Sequence, residues 1–183
     1  MGGSKATSGR IAVFVEDAYG KEFIERLLAK LQPSHQVGVI KRFAGPCNTK
    51  STRQLLSSTH DHDRVVVLVD GDWNPSDVRR RIEEHIDDIR DEDRRREVRS
   101  KVRIVVVESE IEEWICHSLG LGVGRGQKPS EVLSQYLQRE ESRNYGKWEL
   151  PRYAELVAVN CGSLYGKNPS FKEFLDCLGC RCP

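Results

Sequence analysis

Long apolar runs are missing from this 183-residue chain, and none approaches the ~20 residues needed to cross a bilayer, so no membrane span is expected. An excess of one charge is missing too. Lys and Arg number 29 against 28 Asp and Glu, so net charge leaves no nucleic-acid footprint, and any such binding must rest on a local patch. The start, MGGSKATSGR, lacks the apolar centre of a secretory leader, which sets the expectation of a cytoplasmic protein. Its Ser, Gly and Lys content reads as a flexible tail over residues 1–10. The six cysteines are Cys47, Cys116, Cys161, Cys177, Cys180 and Cys182. Only Cys177-x-x-Cys180-x-Cys182 has metal-ligand spacing, and no second CxxC or HxxxH completes a structural zinc site. Free thiols or a terminal disulfide are expected there instead of zinc. A disulfide framework is not expected in a cytosolic chain.

What is present is a set of short β-branched runs, each followed by a helical pattern. Val65–Val69 ends abruptly in Asp70-Gly71-Asp72 and reads as a strand buried on both faces, as in a parallel sheet covered by helices. Ile11–Val15 is a second such run, ending in Glu16-Asp17. After it Phe23, Ile24, Leu27, Leu28 and Leu31 fall on one helical face until Pro33. Gln36–Phe43 reads as a more polar strand nearer an edge, followed by a short helix from Lys50 to Ser58. Asn74-Pro75 is a helix start, with Asn74 capping and Pro75 in the first turn. Val78, Ile82, Ile86 and Ile89 stripe that helix, and the alternating charges that follow read as a solvated face laced with ion pairs. Val102–Val107 is the fourth strand. A helix with Ile111, Trp114, Ile115 and Leu119 inward follows it and closes at Gly120. Beyond lies a glycine-rich connector without a phosphate-loop ending. Short helices are expected around Ser130–Arg139 and Leu150–Val159, and another capped by Asn168. The expectation is an α/β fold: a Rossmann-like sheet of about four mostly parallel strands flanked by helices over 11–119, with a helical extension over 120–183 packed on the same domain.

Acidic residues close three of these strands: Glu16, then Asp70 with Asp72, then Glu108. Parallel strands present their carboxyl ends along one edge, where open α/β sheets bind ligands. Carboxylates gathered there repel unless a cation neutralises them, and an all-oxygen set suits Mg²⁺ or Mn²⁺. Each has a plainer reading. Asp-Gly-Asp is common in βα turns, Glu16 sits well at a helix start, and Ser109-x-x-Glu112 has the form of a capping box. Lys21, Lys50 and Arg53 are candidate phosphate contacts, although a solvated surface accounts for them equally. Thr59-His60-Asp61-His62-Asp63 precedes its strand, which puts it at the opposite edge, as a polar turn.

These motifs carry a resemblance. FVEDAYGKEFIERLL and VVVLVDGDWNP are similar to the two acidic motifs of Toprim domains, found in topoisomerases, bacterial primases, the overcoming-lysogenization-defect nucleases and small stand-alone nuclease-like proteins. IEEWICHS and NPSFKEFLDCL resemble helices of a stand-alone Toprim-like family, so the resemblance spans about residues 11–178. Two positions depart from the pattern: Asp17 stands where Gly is common, and Ser118 where an Asp is usual. The resemblance implies Glu16 as general base or acid or as metal ligand, Asp70 and Asp72 as Mg²⁺ ligands, and Glu112 completing the site. It also implies a basic residue from the tail, for which Lys167 is the candidate. The activity implied is Mg²⁺-dependent phosphodiester cleavage of DNA or RNA, alone or with a partner protein of a DNA-processing or defence system. One alternative is a Toprim-like module that binds nucleic acid or protein without chemistry. The other is a phosphatase of the haloacid-dehalogenase type, which carries its Asp-x-Asp on the first strand, whereas here the motif follows the third.

Overall fold

The structure is a computed structural model that describes residues 10–31, 33 and 36–182. All but the last residue of the expected flexible tail lies outside the described residues. The sheet is built from β1 (Arg10–Val15), β2 (Gln36–Arg42), β3 (Arg64–Val69) and β4 (Val102–Val106). All pairings are parallel, in the order β2-β1-β3-β4. Parallel neighbours need crossovers, and helices supply them: α1 (Ala18–Leu31), α2 (Lys50–Asp61), α3 (Pro75–Asp87) and α4 (Glu92–Lys101).

Strand alternation splits the core into two layers, because successive side chains point to opposite faces. Ile11, Val13, Val15, Val66, Leu68, Val105 and Val107 face α1 and the C-terminal helices. Ala12, Phe14, Val65, Val67, Val69, Ile104 and Val106 face α2, α3 and α4 through Leu55, Ile82, Ile86 and Val98. The outer β2 has its residues only half-buried or exposed, as its polar sequence implied.

The charged stretch after Asn74 forms two helices. Asn74 accepts from the Asp77 amide at the start of α3, and Asp91 accepts from the Arg94 amide to start α4. Arg80 pairs with Asp77 and Glu84, Arg94 with Glu97, and Arg96 with Asp93. This face is therefore internally neutralised and offers little free positive charge.

The remaining helices are α5 (Glu112–Ser118), α6 (Pro129–Glu141), α7 (Ala154–Val159), α8 (Cys161–Lys167) and α9 (Pro169–Leu178), with a 3₁₀ segment at Lys147–Tyr153. They close over one face of the sheet around Trp114, whose ring lies 5.0 Å from that of Phe171, 5.5 Å from Phe174 and 6.4 Å from Phe23. The extension therefore shares a core with the sheet layer. Cys161 is bridged to Cys182 across 21 residues, while Cys177 and Cys180 stay free, so the pairing leaves the terminal CxxCxC cluster. Among the described residues no helix is long and apolar enough to cross a membrane.

Candidate functional site

The register of β1 on β3 sets Val15 beside Leu68. Glu16 then comes level with the end of β3, and its Oε2 accepts the Asp70 amide at 3.1 Å. The backbone turns at once. Gly71 and Asp72 both donate to the Ser109 carbonyl, at 3.0 and 3.1 Å, and Trp73 donates to that of Glu108. Asp72 and Trp73 hold left-handed φ values of 45° and 65°, a conformation costly for side chains of this kind. Glycine is required between the two aspartates. A Cβ on Gly71 would overlap the Val107 carbonyl oxygen and stand 2.8 Å from that of Glu108. Gly71→Ala should therefore cost about 3 kcal/mol, measured by urea denaturation; an unchanged midpoint would refute the close approach.

Around this turn the acids gather. Asp70 is 17% exposed, and its Oδ1 accepts the Ile111 amide at 2.9 Å. Asp17 caps α1 by accepting the Gly20 amide at 2.7 Å. From the 3₁₀ segment Lys147 reaches in, its Nζ 2.9 Å from Asp17 Oδ2 and 3.7 Å from Asp70 Oδ2. Glu112 lies at the base of the site, buried. Its Oε1 accepts from the Tyr145 hydroxyl at 3.1 Å, and its Oε2 is buried with no hydrogen-bond partner. It makes no capping box: α5 begins without a side-chain cap.

One ammonium among these carboxylates leaves the site short of positive charge. Burial pushes the Asp70 carboxyl up to about 8; Lys147 opposes the rise, and Glu112 and Glu16 add to it. Burial also raises Glu16, helped by Asp72 and countered by the Asp70 amide. Glu112 rises for the same first reason, with Lys147 opposing. Burial would raise Asp17 as well, but the Gly20 amide and Lys147 outweigh it and hold that carboxyl low. Lys147 is held above its ordinary value, because Asp17, Asp70 and Glu112 together overcome its desolvation.

Two of the acidic strand ends thus meet through Glu16 and Asp70, with Asp72 close enough to act on Glu16 electrostatically. The third strand end does not join them. Glu108 is exposed, and its charge acts on Glu113, which is pushed up to about 6 by burial first and Glu108 second. The candidate basic side chains have other neighbours. Lys21 pairs with Glu25 along α1. Lys50 begins α2 with its amide on Asn48, and Arg53 lines a groove shared by α2 and the α3–α4 connection. Lys167, at the end of α8, acts on His117. Sequence reasoning missed Lys147 and Tyr145, which sit in an aperiodic stretch, and treated Asp17 only as a departure from glycine.

Among the described residues no three His, Cys, Asp or Glu side chains stand as a ready-made metal shell. The donor chemistry nevertheless fits a hard cation of the Mg²⁺ kind, which binds through one or two carboxylates and completes its shell with water and phosphate. The orphaned Glu112 Oε2 and the surplus of carboxylates point the same way. A cavity of about 10 Å³, room for one water, is lined by Glu16, Asp17 and Asp70 together with the apolar Val15, Leu68, Val69 and Ile111. Comparison with protein-family models, curated proteins and solved structures finds no match.

Proposed function

We propose that this cleft cleaves phosphodiesters in nucleic acid, as a Toprim-type nuclease site working with Mg²⁺ or Mn²⁺. The observation that carries the reading is the meeting of Glu16 and Asp70 at adjacent parallel strand ends, with Lys147 reaching into the same point. Asp70, Asp72 and Glu16 would hold the ion. The chemistry such an ion supplies is activation of water and neutralisation of phosphoryl oxygens.

The chain's own groups do the rest. Burial raises Glu16 above the ordinary carboxylate value, which makes it a better proton acceptor for an attacking water. Lys147, kept protonated by its acidic neighbours, would offset negative charge developing on the phosphoryl oxygens. Tyr145 donates to Glu112 Oε1 and leaves the buried Oε2 without a partner. The test is incubation with Mg²⁺ or Mn²⁺ and single-stranded DNA, duplex DNA and RNA. Cleavage that drops about 100-fold or more in Asp70→Asn is expected. Phosphomonoester hydrolysis without any strand cleavage would favour the phosphatase instead.

A second reading has its own support. Lys147 already pairs with Asp17 and Asp70, and no ready metal shell exists among the described residues. A Toprim-like module that binds nucleic acid or a partner protein without chemistry needs no more than this. Metal binding by calorimetry with no cleavage of any substrate would select it.

A further inference from the structure

Tyr19 is 43% and Trp148 57% exposed, and both lie beside the acidic cleft in the chain. Tyr19 follows Asp17 by two positions, and Trp148 directly follows Lys147, the two charged residues being joined at 2.9 Å. We infer that Trp148 is a base-stacking platform that admits single-stranded nucleic acid to the cleft, an assignment resting on the phosphodiester reading above.

The platform is built, not incidental. Glu149 is only 3% exposed, and this buried carboxylate accepts from the Gly146 amide at 3.0 Å and from Arg143 Nη1 at 2.6 Å. Those bonds brace the turn that sends Lys147 inward and leaves the next side chain outside. The Nε1 edge of the Trp148 indole lies against Gly146, where a Cβ would collide with it. Arg152 stacks over the ring with Cζ 5.2 Å from its centroid. Arg152, also 3.8 Å from the Glu149 carboxylate, covers one face, and the exposed ring leaves the other for a base.

The strand state follows from stacking itself. A base inside a duplex already has neighbours on both faces, so only an unpaired one can lie on an exposed ring. The arginines of α3 and α4 offer a backbone little free charge, since they pair with acids of their own helices or, for Arg79 and Arg99, with Glu173 and Asp87.

The experiment is fluorescence anisotropy with Ca²⁺ in place of Mg²⁺, a hard cation that neutralises the carboxylates, with strand integrity checked on a gel so that binding is read without cleavage. The probes are labelled oligothymidylate, labelled oligouridylate and a blunt DNA duplex of the same length. The whole chain should bind one or both single strands at least about tenfold more tightly than the duplex. Trp148→Ala should weaken that binding by about tenfold or more, Trp148→Phe by no more than about threefold, because the smaller ring still stacks. Circular dichroism melts of both variants should match the parent, since the side chain is exposed. The relative affinity of the two single strands shows whether DNA or RNA is preferred. Equal affinity for duplex and single strand, or an unaffected Trp148→Ala, overturns the platform even if Asp70→Asn still abolishes cleavage. Loss of binding in Trp148→Ala with no cleavage of any substrate upholds the platform and rejects the nuclease.

Discussion

Asp70→Asn should make the protein more stable, not less, when measured in EDTA at neutral pH. The Asp70 carboxyl moves from an ordinary 3.8 to about 8 because folding strips it of water. Between those values the unfolded chain has released its proton while the folded chain retains it. The wild-type fold therefore binds more protons than the unfolded state, and its stability falls as pH rises from about 4 to about 8. Each unit is worth about 1.4 kcal/mol, so the group costs roughly 4 kcal/mol at pH 7. Asparagine has no such cost and keeps an oxygen for the Ile111 amide, which Asp70 Oδ1 now receives at 2.9 Å. The expected gain is on the order of 10 °C in melting temperature at pH 7, vanishing below about pH 4. Glu16 and Glu112 are raised in the same direction and keep part of the slope. Melting curves from pH 4 to 9 decide it. A variant less stable than its parent at every pH would show that Asp70 is a structural ion-pair partner, with no conflict between folding and function.

The second large effect is expected at Lys147. Its ammonium reaches Asp17 and Asp70 and acts on Glu112, and methionine in its place leaves those carboxylates without that charge. Removing one member of a buried pair is severe, but Lys147 is 43% exposed and solvent moderates the loss. Lys147→Met should cost about 2 kcal/mol at pH 8, and less at pH 5, where Glu16, Asp70 and Glu112 more readily take up protons. Combining it with Asp70→Asn should recover much of the loss, a coupling that two independent sites would not show. Urea denaturation of the four proteins at both pH values measures this. Strict additivity would mean that the two side chains do not share a site.

How much of this was legible in the amino acids follows from what kind of signal each feature leaves. The strands announce themselves because a layer buried on both faces demands unbroken β-branched runs, as in Val65–Val69. Asn74-Pro75 and Asn168-Pro169 mark helix starts because the cap and the fixed proline φ act locally, and both caps form as expected. That Glu16 and Asp70 come together follows from parallel topology, which puts every strand's carboxyl end on one edge. Glu108 and Glu112 could not be separated by spacing. Only the path of the chain past the Ser109 carbonyl shows that the first stays outside while the second turns in. Lys147 left no trace, since NYGKWEL has neither helical nor strand period and its lysine is placed by a 3₁₀ turn packed on α1. Lys167 has a clearer sequence context but ends α8 beside His117. The Cys161–Cys182 bridge was equally hidden, because cysteine spacing does not encode pairing across folded helices.

Everything functional depends on Glu16 and Asp70 sharing one ligand at the joined ends of β1 and β3. Crystals soaked in Mn²⁺ and measured at the manganese edge test this directly. The expected result is an anomalous peak coordinated by Asp70 and Glu16 in the wild type and absent from Asp70→Asn. A wild-type map with no peak in the cleft, and Lys147 still lodged between Asp17 and Asp70, would contradict the account.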